Sequence, residues 1–272
     1  MRAGAVTNSE DRPVPAAEPP SILSKAFDVL GTFGLGNRVM TLSEIARVSG
    51  LPKSTVHRLI ARLVDLGAIE PHRSGYVASV QLLSLATSTP AAGMRDVALS
   101  AMAALHRWSG RTVQLAVLRK FDVFLLEQMR APEAPGLRWG LGTPVPANCL
   151  ALGKVLLSYE YLDDLKAFLP RPMPRLTPRS VTDVELLVES LGEARRRGIA
   201  HDFGEAQPDL ASAAVPIVIR GHAVGALGIS HMLQEDLTPA MEHALRETAA
   251  QIARVCSKAL QRGKTHYLPY DL

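Results

Sequence analysis

The sequence predicts an α+β protein in two parts, an N-terminal winged helix-turn-helix and a larger C-terminal domain built on an antiparallel sheet. Three observations predict it. Two short amphipathic helices are joined by the turn "SGLP", the spacing of a helix-turn-helix. After Gly67 the periodicity changes to two short strands around a polar tip, as in the wing of a winged helix. Beyond residue 112, apolar or alternating runs come in pairs followed by helices, the pattern of an antiparallel sheet with helices packed on it.

The first 20 residues carry Pro13, Pro15, Pro19 and Pro20 and few large apolar side chains, so they are expected to form a flexible tail. "SILSKAFDVLGTF" predicts a helix whose broad apolar face is Ile22, Leu23, Ala26, Phe27, Val29 and Leu30, and "GLGNR" breaks it. Thr41 or Ser43 caps the next helix, "LSEIARVS", with Glu44 placed three residues after Thr41 as in a capping box. In the third helix Val56, Leu59, Ile60, Leu63 and Leu66 follow the i, i+3, i+4, i+7 rule. Pro52 suits its first position and Gly67 the residue past its end.

The wing is expected as strands Ala68–Glu70 and Tyr76–Ala78 around a tip at residues 71–75. "SVQLLSLATS" reads as a helix interrupted by Pro90, and a further helix covers Arg95–Trp108. The later strands are "TVQLAVL", "DVFLLEQM", "ASAAVPIVI" and "AVGALGISHM", with helices near Ala151–Ser158, Asp183–Arg197 and Thr238–Arg262. "LPRPMPRLTPRS" is a loop. These elements divide the chain into a tail (1–20), a winged helix-turn-helix domain (21–79), a linker helix (80–94), the sheet domain (95–262) and a second tail (263–272).

Composition narrows the function classes. A chain of 272 residues fits two domains of unequal size, and with 5% aromatic residues its cores must come from Leu, Val, Ile and Ala. The net charge of +4 is compatible with a polyanionic partner without demanding one. Cys149 and Cys256 lack metal-ligand spacing, and the histidines form no metal-binding motif, so no cofactor or metal is expected. Neither a signal peptide nor an apolar run long enough for a membrane span occurs. A cytoplasmic protein without membrane contact is the expectation.

A helix-turn-helix exposes the start of its second helix so that it enters a major groove. Lys53, Ser54, Thr55, His57 and Arg58 stand there, with Arg62 one turn on, and all are side-chain types that contact phosphates and base edges. Arg73, at the wing tip, is placed to reach backbone or minor groove. Between Ser21 and Pro90 seven cations face four anions, a balance of +3. A polar helix start is also what plain capping and solvation produce. The preceding helix, the turn and the wing together favour double-stranded DNA.

With these motifs in place, the chain resembles the IclR family of bacterial transcriptional regulators from about Ser21 to Cys256. "TLSEIARVSGLPKSTVHRLIARLVDLGAIE" looks like the family's winged helix-turn-helix, and "SGYVASVQLLSLA" like its wing end and linker, although Ser79 stands where glycine is usual. "PVPANCLALGKVLLS", "RRRGIAHDFGE" and "SAAVPIVIRGHAVGALGIS" look like later blocks. The resemblance implies a DNA-binding domain that also dimerises and a GAF-like effector-binding domain. It further implies homodimers that can pair into tetramers, and local control of a catabolic or stress operon, more often by repression at a pseudo-palindromic operator. It places the small-molecule effector against Asn148, Cys149, Leu150 and Ala151 on a loop, and Asp202, Ser212 and Ser230 on late strands. Asn148 replaces a common histidine, Gly228 a serine of some members and Asp209 a common glycine. Asp202 argues against an anionic ligand unless its charge is paired or neutralised, and favours a phenol, alcohol or amine.

Two other functions compete. An enzyme fused to a winged helix needs a nucleophile or an acid–base pair. Only Cys149, before a helix whose dipole would lower its pKa, and Asp202 are on offer, both without partners, so no enzymatic activity is expected. A ligand-independent architectural DNA binder would be indifferent to every metabolite.

Overall fold

The computed structural model describes residues 21–34, 39–132, 134, 139–160, 165 and 169–261. Both expected tails and Arg38 lie outside the described residues. The chain divides into two compact units, one ending at Ser79 and the other running on from Val80.

The first unit holds helices α1 (Ile22–Leu30), α2 (Leu42–Ser49) and α3 (Lys53–Asp65) and a hairpin of β1 (Ile69–His72) and β2 (Gly75–Ala78). Thr41 caps α2 with the full capping box to Glu44, and left-handed Gly50 ends it. Val29, Ile45, Val56, Ile60 and Ile69 meet in a core of aliphatic side chains. The wing is pinned by a bridge in which Met40 and Tyr76 exchange backbone hydrogen bonds of 3.0 and 2.8 Å. Gly75 is required there, because a Cβ would lie 2.3 Å from the Met40 carbonyl oxygen.

Several boundaries differ from expectation for physical reasons. Pro52 is the residue before α3, not its first position. Leu66 is the C-cap of α3 and 76% exposed, since the helix ends before its stripe returns to the core. The wing strands run further toward a tip at Arg73 and Ser74. In α1, only Val29 is fully buried, while Ile22, Leu23 and Phe27 face solvent.

The second unit begins with α4 (Leu82–Thr87) and α5 (Pro90–Ser109). Pro90 starts α5 instead of interrupting a helix: Thr89 caps it, and proline in the first turn lacks only an N–H that would have no partner. A six-stranded antiparallel sheet follows, ordered β5-β4-β3-β8-β7-β6. Its strands are β3 (Thr112–Arg119), β4 (Asp122–Met129), β5 (Pro144–Pro146), β6 (Ala200–Phe203), β7 (Leu210–Ile219) and β8 (His222–Met232). The two edge strands, β5 and β6, are too short for a periodic signal.

One sheet face packs on α5 and α8 (Pro239–Gln261) through Leu115, Val215, Ile217, Leu227 and Ile229. The other packs on α6 (Ala151–Leu157) and α7 (Val184–Arg197) through small residues such as Ala116, Ala214 and Ala226. This is the expected α+β architecture, a winged helix-turn-helix followed by a GAF-like antiparallel-sheet domain. It brings α6 close to the middle strands: a Cβ on Gly228 would touch the Leu152 side chain at 3.1 Å.

Candidate DNA-binding and effector sites

The N-terminal end of α3 is polar because its apolar residues are committed to the core on the opposite side. Lys53, Ser54, His57 and Arg58 are exposed, and Thr55 is half-buried beside buried Val56. Arg62, also exposed, lies 3.6 Å from Asp65, a solvated pair that adds little and can be exchanged for another anion. Arg73 is exposed at the wing tip, where the neighbouring His72 Nδ1 lies 3.0 Å from the Ser74 hydroxyl. The structure therefore puts all the groove-side candidates on one short unit whose rigid core sets their spacing.

In the second unit the polar residues gather at one end of the sheet, on the α6 face. Strand register sets Asp202 beside Ser212, Ser212 beside Ser230, and Ser230 beside Thr112. Directly opposed residues of antiparallel strands share a face, so these four side chains form a row across β6, β7, β8 and β3. Asp202 is almost fully buried. It accepts the Glu205 backbone N–H at 2.7 Å and the Ser212 hydroxyl at 3.2 Å. Burial pushes its carboxyl up to about 7, against the lowering effect of the Glu205 N–H.

Three segments are tied together beside the Asp202 end of this row. A short 3-10 turn, Ala147–Cys149, enters α6, and Asn148 is completely buried. Its Nδ2 donates to the carbonyls of Pro174 (2.9 Å) and Val181 (2.8 Å). The 174–181 loop is fastened in turn to the loop after β6, where Thr177 Oγ1 donates to Gly204 O at 2.7 Å and Ser180 Oγ to Glu205 O at 2.7 Å. Lys154 of α6 donates to Glu205 Oε1 at 2.6 Å, both side chains nearly sealed from solvent. Gly153 allows the turn to lie against α6, since a Cβ there would sit 2.1 Å from the Ala147 carbonyl oxygen.

The expected effector residues are thus brought into one neighbourhood, but not all are available to a ligand. Leu150 and Ala151 are core residues of the α6 face. Cys149 is fully buried, its Sγ donates weakly to Pro174 O at 3.7 Å, and burial raises its pKa, the opposite of a reactive thiolate. The other cysteine, Cys256, is on the core-facing side of α8, its thiol pushed up to about 11 by burial. A cavity of about 360 Å3 opens at the polar end of the sheet, and of the seven candidates it is lined by Ser230 alone.

The buried Lys154–Glu205 pair was not foreseen. Nor were five buried polar atoms without a hydrogen-bond partner among the described residues: Gln128 Nε2, Trp139 Nε1, Asn148 Oδ1, Glu205 Oε2 and Gln207 Oε1. Buried polar atoms are rarely left unmatched in proteins, and three of these five, on Asn148, Glu205 and Gln207, belong to the turn into α6 and the loop after β6. No group of three or more His, Cys, Asp or Glu side chains suited to a metal ion occurs among the described residues.

Comparison with known proteins accounts for both units. Residues 22–73 match the IclR helix-turn-helix domain and residues 86–254 the bacterial transcriptional regulator IclR C-terminal domain. The glycerol operon regulatory protein of Streptomyces coelicolor is 30% identical over 85% of this chain and 94% of its own. The p-hydroxybenzoate hydroxylase transcriptional activator of Acinetobacter baylyi is 25% identical over 75% of this chain and 79% of its own. Among solved structures, an IclR homolog from Microbacterium hydrocarbonoxydans, complexed with 4-hydroxybenzoate, superposes with a TM-score of 0.77. It is 31% identical over 88% of this chain and 100% of that one.

Proposed function

The chain belongs to the IclR family of bacterial transcriptional regulators, and from that premise we propose that it represses a nearby catabolic or stress operon by binding a pseudo-palindromic operator as a homodimer. Lys53, Ser54, Thr55, His57, Arg58 and Arg62 of α3 face the major groove in this reading, and Arg73 of the wing contacts the adjacent backbone. The observation that carries it is the exposed polar start of α3, opposite an apolar face committed to the core and next to a wing that also exposes Arg73. Two exposed apolar patches support the dimer: Ile22, Leu23 and Phe27 on α1, and Val80, Leu83 and Leu85 around α4. Patches of this kind mark protein–protein contacts. Pairing of two such dimers into a tetramer completes the proposal.

The second unit is the effector domain, and its ligand acts by binding one spacing of the two DNA-binding units more tightly than another. Asn148, Asp202, Ser212 and Ser230, with Glu205 and Lys154, form the polar end of that site. Asp202, already holding two donors, serves to position the loop after β6. The 4-hydroxybenzoate bound by the Microbacterium relative is a first compound to try. The protein works in the cytoplasm, without enzymatic activity.

Footprinting on the DNA upstream of the protein's own gene tests this reading. Protection of two half-sites about one helical turn, roughly 34 Å, apart is expected. Protection of a single site, or none above random DNA, would refute the dimeric operator complex.

A further inference from the structure

The edge of a sheet exposes backbone N–H and C=O groups, and proteins guard such rows with proline, charge or a covering segment. The two edges of the six-stranded sheet differ in this respect. β5 reads Pro-Val-Pro, and neither proline has an N–H to offer a further strand. β6, at the opposite edge, reads Ala-His-Asp-Phe, with no proline, lysine or arginine. Gly204 N donates to Leu210 O at 2.8 Å. By the alternation of an antiparallel pair, the N–H and C=O of Ala200 and Asp202 then face β7, and those of His201 and Phe203 point off the edge. Among the described residues nothing else bonds to those outward groups. Phe203 is 59% exposed, and its ring stacks on His201 with centroids 6.0 Å apart and planes 11° from parallel, since residues two apart on a strand share a face. A hollow of about 420 Å3 lies along this edge, lined by His201 and Phe203, by Ser190, Glu193 and Arg197 of α7, and by Glu242 of α8.

We propose that this edge takes the same edge of a second copy, β6 running antiparallel to β6 about a two-fold axis at Asp202, joining two sheets into one. In that register each His201 is the hydrogen-bonded neighbour of Phe203 in the other copy, so the outward donors and acceptors satisfy one another. The two stacked pairs become one patch of four rings, in which every aromatic side chain faces another across the strands. A two-fold contact requires a surface complementary to itself. Here donors, acceptors and rings all exchange under the axis, and the Glu193–Arg197 ion pair, at 3.1 Å, gives each rim both signs of charge. The two Asp202 side chains come opposite each other on the other face. Each has its oxygens turned to its own chain, Oδ2 to the Ser212 hydroxyl and Oδ1 to the Glu205 N–H. A four-residue strand is too small a contact to hold two lone chains. The inference therefore rests on the homodimer proposed above: two dimers that meet through two such edges gain from the second contact being intramolecular.

Sedimentation equilibrium of the 272-residue chain over a dilution series tests the proposal. Tetramers that separate into dimers on dilution are expected. Phe203→Lys sets a charge on the edge at an exposed position that the core does not use. Its dimer–dimer dissociation constant should rise about tenfold or more, the weight of two aromatic pairs lost together, and Phe203→Tyr should retain the wild-type value. Hydrogen exchange of the wild-type chain gives a reading that needs no variant. The amides of His201 and Phe203, unpaired within one chain, should exchange slowly where the tetramer predominates and rapidly where the dimer does. A wild type that stays dimeric at every concentration, a Phe203→Lys tetramer as tight as wild type, or rapid exchange of both amides in the tetramer would each overturn the edge contact. Monomers at every concentration would refute the homodimer itself, and the edge contact with it.

Discussion

At the residue scale, Arg58 and Asp202 make opposite use of solvent. Arg58 is exposed on α3, and in the proposed operator complex its guanidinium makes a planar, two-pronged contact in a groove. Replacing it with alanine should weaken operator binding, and if it reads a base, relax preference at one position by about 1–3 kcal/mol. Competition binding with single-base operator variants measures this; a uniform loss across sequences would assign Arg58 to phosphate. Asp202 is buried, and its carboxyl is pushed up to about 7. Between its unfolded value near 3.8 and about 7, the folded state holds more protons than the unfolded one. Stability from this residue is therefore greatest at low pH and falls as pH rises through that window, levelling above it. In Asp202→Asn that slope should vanish from denaturation midpoints measured across the window, and an unchanged slope would contradict the assignment. The exposure of the polar residues on α3 was legible in the sequence because helical periodicity separates them from the core. Glu205 and Lys154 were not, because their partnership spans 51 positions and no local pattern reports it.

At the element scale, helix ends were legible wherever a side chain satisfies the backbone. The Thr41–Glu44 box fixes the start of α2, and Thr41→Ala should cost about 1 kcal/mol of the first unit's stability, read by thermal unfolding. Pro90 misled because proline both breaks helices and starts them, and only the cap at Thr89 decides which. Periodicity did not report the sheet edges for another reason: β5 spans three residues and β6 four, fewer than one full test of alternation, and β6 was expected only through the resemblance that sets Asp202 on a late strand. The 3-10 turn into α6 depends on Gly153, so Gly153→Ala should displace Ala147 and Asn148 and lower effector affinity while operator binding in the absence of ligand persists. Lys154→Met leaves the Glu205 carboxylate buried without its cation and should destabilise the second unit by about 3–5 kcal/mol. Retention of wild-type stability would show that the pair is not isolated from water.

At the scale of the whole molecule, the sequence patterns predicted two different kinds of surface, and the structure makes both concrete. One unit presents cations and hydroxyls from a single helix end. The other buries most of its polar groups at one end of a sheet, beside loops tied by Asn148, Thr177 and Ser180. The cavity itself was not legible, since its lining comes from four strand ends distant in sequence, and only register brings them together. Regulation requires that occupancy of the second unit alter DNA affinity of the first. A ligand can do this only by its difference in affinity between the two states, so coupling of about 1–3 kcal/mol, roughly 5- to 150-fold, is the expected size.

The most direct measurement is a titration of the 272-residue chain against its upstream operator at fixed salt, repeated with a saturating small molecule that calorimetry shows to bind the protein. The account predicts a specific complex whose dissociation constant changes several-fold when the ligand is present, with the same change seen reciprocally in ligand affinity when operator is present. A specific complex with the same dissociation constant in the presence of a ligand that demonstrably binds would contradict it, leaving a DNA-binding protein whose second unit does not govern the first.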